Sequence, residues 1–367
     1  MEKILKLPLA DRTNIKDWDF ANLVLTASER AEIAEDFFGK YIPENAKNAI
    51  VVVDGRIVQN TLEEGISAKS TADISLREDN GLIGLSYEKR NSALSVAAAK
   101  NTVPSEPLYI VYIAANQSLL HHSEILLEEG AELDIVETFL SLKGFNCIVA
   151  SKVDLKPNSK LSSSVINRLG YNATVYFHRT TELLADAAFA GTNFIINDSN
   201  MVFEDFTYML GKGAEASVST VAIASGEQKQ NVTVRIENMA PYCKGEIVNY
   251  GITVDSAHLA FNGIGKIHKG QNGGDNQQET RMLNLSKKAE AIANPFLLID
   301  EGDITAGHAA SIGRLNDEQV YYLMSRGMSR QESEKMIAQG FLAPFVDNIQ
   351  DEGLKEQLLQ SIEEKLG

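Results

Sequence analysis

The sequence predicts a mainly β protein with helical flanks, and three observations carry that reading. From about residue 107 to residue 312, short β-branched and aromatic runs such as Leu108-Tyr109-Ile110-Val111-Tyr112-Ile113 alternate with Gly, Asn, Asp and Ser turns, the pattern of strands. Within this stretch a small polar turn followed by an alternating strand recurs at Gly130-Ala131, Asn158-Ser159, Asp186-Ala187 and Gly213-Ala214, a spacing of roughly 27 to 28 residues that marks stacked repeats. The last sixty or so residues instead place apolar side chains at three- and four-residue steps between clear caps. The repeats alone fit a β-solenoid or a β-sandwich.

Taken in order, Thr26 with Glu29 reads as a capping box that starts an amphipathic helix through Ile33, Phe37 and Phe38 up to Gly39. After Pro43, Ala49-Ile50-Val51-Val52-Val53 is a buried strand, and Asp54-Gly55 a hairpin turn into Ile57-Val58. Asn91 to Lys100 reads as one more helix. In the repeats, Ser159 to Ile166 and Glu215 to Ile223 alternate small polar and apolar residues. Near the C-terminus, Asn316 caps a helix with Gln319 at its third position, and Gly327 ends it. Ser329 with Glu332 forms the capping box of a second helix, expected to stop at Gly340. A third helix follows from Phe341, Leu342, Phe345, Val346 and Ile349 through Leu354, Leu358, Leu359, Ile362 and Leu366, with Pro344 tolerable only in its first turn. Three short helices cannot bury such a stripe alone, so they pack on the repeats, on each other or on a partner. The chain thus divides into a mixed α/β segment, 1–105, a β core, 106–312, and a helical domain, 313–367.

A length of 367 residues with 44% apolar content can fill a sizeable core. The net charge of -16 repels a phosphate backbone and an anionic lipid surface, so nucleic acid and membrane are not expected partners. The first twenty residues do not read as a signal peptide, and no later stretch reaches the apolar length of a membrane span, which points to the cytoplasm. Cys147 and Cys243 match neither a disulfide framework nor a CxxC metal pair. No phosphate-binding glycine loop, GxSxG elbow or HExxH helix occurs, so no nucleotide is expected on this chain and no catalytic nucleophile stands out.

Several residues could carry chemistry. His308, at the end of a predicted strand, is either a structural histidine or a ligand that completes an iron or zinc site across a subunit interface. Glu301 and Asp303, just upstream, would share one face of a strand and offer hard oxygen ligands to ferrous iron, or serve as edge charges. His258 and His268 bracket Phe261-Asn262-Gly263. Cys147 lies in an apolar strand, whereas Cys243 adjoins Lys244, whose charge would favour the thiolate. His121-His122 reads as exposed polar surface.

The run Gly307-His308-Ala309-Ala310-Ser311-Ile312-Gly313, followed by Asn316-Asp317-Glu318-Gln319-Val320-Tyr321-Tyr322-Leu323-Met324-Ser325-Arg326-Gly327, closely resembles the C-terminal signature of the SufB/SufD family. That family comprises scaffold subunits of the Suf iron-sulfur cluster assembly machine. Val53-Asp54-Gly55-Arg56-Ile57-Val58, Glu129-Gly130-Ala131-Glu132 before Val136-Glu137-Thr138-Phe139, Phe261-Asn262-Gly263, and Arg281-Met282-Leu283-Asn284-Leu285-Ser286 fall in the family's order. The likeness is to the SufD type, because no cysteine follows Cys243 in the place of the SufB sulfur acceptor. Two departures stand out: Ala309 replaces the usual glycine after the histidine, and Ala306 stands where some relatives carry cysteine.

The resemblance implies a right-handed parallel β-helix flanked by helical segments, deciding between the two β architectures. It implies a non-catalytic scaffold that pairs with a SufB-like subunit through the strand bearing His308 and docks a SufC-like ATPase on its C-terminal helices, at Tyr322, Ser325, Arg326, Gly327 and Phe341. A transient iron-sulfur cluster, or iron shared with the partner, would engage His308, with Asp303 and Glu301 as further ligands. Alone, the chain would form a homodimer. The alternatives are a SufB-like sulfur acceptor and a β-helix carbohydrate-active enzyme; the single tryptophan and missing signal peptide argue against the latter.

Overall fold

The computed structural model describes residues 18–20, 22–25, 33, 35–71, 73–76, 81–347, 349 and 352–366. The capping box expected at Thr26 and Glu29 lies outside them. The first strands are β1 (Ala49–Val53), β2 (Arg56–Thr61), β3 (Ile66–Lys69), β4 (Ser92–Ala98), β5 (Leu108–Ala114) and β6 (Leu120–Leu127). Next come β7 (Glu132–Ser141), β8 (Cys147–Leu155), β9 (Lys160–Arg168), β10 (Tyr171–Leu183), β11 (Ala188–Ile195), β12 (Asp198–Met209) and β13 (Glu215–Ala224). The series closes with β14 (Lys229–Asn238), β15 (Lys244–Thr253), β16 (His258–Ile267), β17 (Gly274–Asn284), β18 (Glu290–Ile299) and β19 (Ile304–Arg314).

One sheet runs β2-β1-β5-β7-β9-β11-β13-β15-β17-β19 and the other β3-β4-β6-β8-β10-β12-β14-β16-β18. The chain steps from one sheet to the other and back, so successive coils stack in parallel register. About eight coils result, a β-solenoid. Among the described residues only the β1–β2 and β3–β4 pairs are antiparallel.

The recurring polar turns form one corner of this stack. Asn101, Gly130, Asn158, Asp186, Gly213 and Tyr242 all adopt left-handed φ, from 56° to 72°. Each amide donates to a carbonyl of the next corner, as in Gly130 N to Pro157 O, 3.1 Å, and Asn158 N to Ala185 O, 3.0 Å. Gly, Asn and Asp tolerate that region, which explains why those residue types mark the repeat.

Inward side chains stack from coil to coil. Tyr112 lies on Phe139 at 4.5 Å, Phe139 against Phe177 at 5.4 Å, and Phe177 on Phe203 at 4.9 Å between ring centroids. Burying each such ring contributes about 1.5–3 kcal/mol. Beside this ladder the fully buried Arg179 pairs with Asp205 and donates to Ser163 Oγ at 3.2 Å and Asn193 Oδ1 at 3.0 Å.

At the N-terminal side, Asp54 (φ 47°) and Gly55 (φ 85°) make the expected hairpin turn between β1 and β2. The helix expected over Asn91 to Lys100 is instead β4. Its residues alternate, with Leu94, Val96 and Ala98 turned into the solenoid, and that burial outweighs the helix propensity of the alanines. The helix here is α2 (Gly81–Lys89), preceded by the single turn α1 (Glu35–Phe38). Leu82, Ile83 and Leu85 of α2 pack on Leu120, Ile148, Tyr176 and Val202 of the second sheet's outer face.

Three helices follow the strands: α3 (Asp317–Ser325), α4 (Arg330–Val346) and α5 (Glu352–Leu366). Asn316 Oδ1 accepts from Glu318 N at 2.9 Å, and Ser329 with Glu332 closes its capping box at 3.2 and 2.7 Å. Gly327 follows α3 in left-handed φ, 99°. Gly340 does not stop α4, which runs on through Pro344 to Val346. Continuing it buries Leu342, Phe345 and Val346, which offsets the hydrogen bond that Pro344, lacking an N–H, withholds from the Gly340 carbonyl. With Leu358, Ile362 and Leu366 of α5, these side chains cover Phe194, Val221, Ile223 and Ile252 on the first sheet's outer face. Lys365 fastens α5 there, donating to Asn197 O at 2.6 Å, Asp198 Oδ1 at 2.6 Å and Gln228 Oε1 at 2.8 Å.

Candidate functional site

The last coil, β18 and β19, has no further rung stacked on it among the described residues. His308 belongs to β19 in register with Gln278 of β17. Gln278 shares the inward face with Met282 of the core, so His308 occupies an inward register at the open end and is therefore exposed. Ala309 is an ordinary extended rung paired with Glu279, and glycine's freedom is not needed there. Apolar side chains line the same end: Phe296, Leu298 and Ile312 are 44%, 49% and 50% exposed.

Glu301 and Asp303 are in the turn before β19 and not in a strand. Glu301 accepts from Gly270 N at 2.7 Å and Gly302 N at 2.8 Å, and these amides hold its carboxyl below the usual range. The Asp303 carbonyl accepts from Gly273 N at 2.7 Å. His308 lies four residues past Ile304, roughly 13 Å along the strand, so neither carboxylate is brought to it. The turn requires those backbone bonds, which is the physical reason for the displacement.

His258 pairs with Glu290 at 3.0 Å and His268 with Glu237 at 2.6 Å, at opposite ends of β16. Both cysteines are buried. Burial pushes the Cys147 thiol up to about 12 and raises that of Cys243 as well. Lys244 does not activate Cys243: the thiol belongs to the buried core, and Lys244 pairs outside with Glu215 at 2.7 Å. His121 and His122, expected at the surface, are fully buried. His121 bonds Ser92 Oγ at 2.7 Å inside the solenoid, and His122 bonds Ser86 Oγ of α2 at 2.7 Å. Burial pushes them down to about 3 and about 4.

On α3 and the turn after it, Tyr322, Ser325, Arg326 and Gly327 are exposed. Arg326 donates to the Tyr322 hydroxyl at 3.2 Å, and the Ser325 hydroxyl to the Tyr322 carbonyl at 2.6 Å. Phe341 is not part of this surface; its ring meets Tyr250 at 4.9 Å, facing the solenoid. Tyr321, 74% exposed, and the exposed Met324 extend the surface along α3 instead. Sequence reasoning missed both, although α3's capping frame already placed Tyr321 off its buried Val320 stripe.

Among the described residues no three His, Cys, Asp or Glu side chains gather as a metal site, and no helix is long and apolar enough to cross a membrane. Fold and site together define a β-solenoid protein whose terminal rung, carrying one histidine, stands open. Residues 110–341 match the SufBD core domain of the SUF system of FeS cluster assembly. The chain is 32% identical to the iron-sulfur cluster assembly protein SufD of Bacillus subtilis over 398 residues, spanning 99% of this chain and 91% of that protein. It is 25% identical to SufD of Escherichia coli over 340 residues, spanning 86% and 79%. The chain belongs to the SufBD family of iron-sulfur cluster assembly proteins.

Proposed function

We propose that this chain is a non-catalytic, cytoplasmic scaffold subunit that pairs with a SufB-like partner at its open end and there helps assemble a transient iron-sulfur cluster. The observation that carries the reading is the position of His308: it is exposed on a terminal rung, and the described chain supplies no companion set of ligands around it. A ligand so placed needs the remainder from a second chain, and an unpaired edge with exposed apolar side chains is built to receive one. A sulfur-accepting role has little support, since both thiols are buried. The patch of Tyr321, Tyr322, Met324 and Arg326 is the surface we assign to a SufC-like ATPase, whose nucleotide chemistry would drive the assembly.

The test is anaerobic copurification of wild type and His308→Ala from the native cell. The variant should retain both partners and its melting temperature, because an exposed side chain costs little to remove, yet lose most bound iron and sulfide. Equal iron in both preparations would overturn the ligand reading. A lost partner with a lowered melting temperature would make His308 structural.

A further inference from the structure

A terminal coil is the hardest part of a solenoid to keep folded, because it has one neighbour where every other coil has two. Among the described residues β19 is hydrogen-bonded into a sheet on one side only, to β17, and most of its residues are exposed. A cap across this end would cover His308, which is instead exposed. The helices that follow β19 turn back along the outer face of the first sheet, and they are fastened at two places. Arg314 ends β19 and Asp317 begins α3, so the link is Leu315 and Asn316 alone. Leu315 packs in the same apolar cluster as Leu342, Phe345 and Ile362. Phe341 and Phe345 of α4 meet the ring of Tyr250 on β15 at 4.9 and 4.6 Å, and Lys355 of α5 pairs with Asp347, just past α4, at 3.0 Å.

The second fastening is Lys365, in the last turn of α5. Its side chain is 4% exposed, and an ammonium has three donors to satisfy. Asn197 O, Asp198 Oδ1 and Gln228 Oε1 accept from it. These acceptors stand where the chain leaves β11 and β13, which lie four and three strand spacings from β19, about 19 and 14 Å. A side chain so deeply seated and fully bonded fixes the end of α5 to the middle of the solenoid. We propose that α3, α4 and α5 form a strap, clasped by Lys365 and joined to the last coil at Leu315, that steadies this coil from the side and so allows its end to stay open. Fraying of β19 from its C-terminal half has to pull Leu315 out of the apolar cluster or lift the helices with it, so the strap couples a small opening to a larger one. The inference concerns this chain alone and stands whether or not His308 binds metal.

Hydrogen exchange of the full chain, read by mass spectrometry, tests it with two variants. Lys365→Met keeps the apolar stem, and it leaves Asn197 O and Gln228 Oε1 the bonds they already accept from Gln228 Nε2 at 3.3 Å and Ser225 N at 3.0 Å, so it should fold. Exchange should quicken at least about tenfold in α5 and in residues 310–314 of β19, with β4 and β6 unchanged. A Gly-Ser-Gly insertion between Arg314 and Leu315 keeps every helix contact and cuts only the tether. It should quicken residues 310–314 to a similar degree and leave α5 as in wild type. Quickening of α5 in Lys365→Met with β19 unchanged would show that the strap does not reach the last coil, and an unchanged α5 would show that the clasp is idle. Equal quickening along the whole chain would make Lys365 a support of the entire fold, and β19 indifferent to the insertion would mean that its ladder to β17 suffices; any of these results overturns the proposal.

Discussion

The two ends of the solenoid are treated differently. At the N-terminal end each sheet is finished by an antiparallel strand, β2 on β1 and β3 on β4, and β2 presents Arg56, Gln59, Asn60 and Thr61. Reversing the strand direction and making its side chains polar blunts an edge that would otherwise recruit another chain. At the C-terminal end β18 and β19 stop in parallel register with Phe296 and Leu298 of β18 and His308 and Ile312 of β19 exposed. One end is closed against association and the other is left fit for it.

Between the ends, stability resides in the filled interior, and the largest expected effect is there. Arg179→Met leaves Asp205 buried without its cation, which should cost about 3–5 kcal/mol, read as a lowered denaturant midpoint. Adding Asp205→Leu should recover most of the loss. A single variant as stable as wild type would mean that the interior polar pair is not desolvated as the geometry implies.

Acid should loosen the closed end. His121, next to β4, ordinarily takes up a proton near 6.5, but in the fold only at about 3. Below 6.5 the unfolded chain therefore binds a proton that the folded chain refuses. The stability is fully present above 6.5 and falls progressively toward 3, by about 2 kcal/mol at pH 5 from this residue. His122, shifted the same way, adds to the slope. Urea midpoints at pH 7 and 5 measure it, and His121→Gln should flatten the difference. Hydrogen exchange should quicken in β4 and β6 before β17 and β19; the reverse order would undo the assignment of acid sensitivity to the closed end.

How much of this was legible in the sequence follows from which forces are local. The left-handed corners at Gly130, Asn158, Asp186 and Gly213 announced the repeat because backbone sterics select those residues whatever surrounds them. The same holds for Asp54-Gly55 and for the caps at Asn316 and Ser329. Tertiary burial was not local and was misread: β4 looked helical, Gly340 looked like a stop, and His121-His122 looked exposed. At the site, His308 was found by motif, but the direction of a side chain was invisible. Cys243 and Lys244 are neighbours that face opposite ways, and Glu301 and Asp303 serve a turn. Gln278, the residue beneath His308, has no sequence signal, since only the coil register puts positions thirty residues apart in contact.

The smallest effect on stability gives the sharpest comparison of the two ends. Val58 on β2 and Ile312 on β19 are similar, being exposed β-branched residues of terminal strands, at 42% and 50%. Replacing either by lysine removes little buried surface, so each variant alone should unfold within about 0.5 kcal/mol of wild type. Their partners should tell them apart. Lysine at 312 puts a hydrated cation on the open edge of β19, on the same face as His308, which a docking chain would have to desolvate, and it should weaken pairing with the SufB-like subunit by at least about tenfold. Lysine at 58 meets an edge already blunted by reversal and polarity, and pairing should not change. Titration of the labelled partner by fluorescence anisotropy reads both. Equal weakening by the two would show that the ends do not differ in the way their topology suggests, whereas weakening by Val58→Lys alone would move the interface to the hairpin and leave His308 facing solvent.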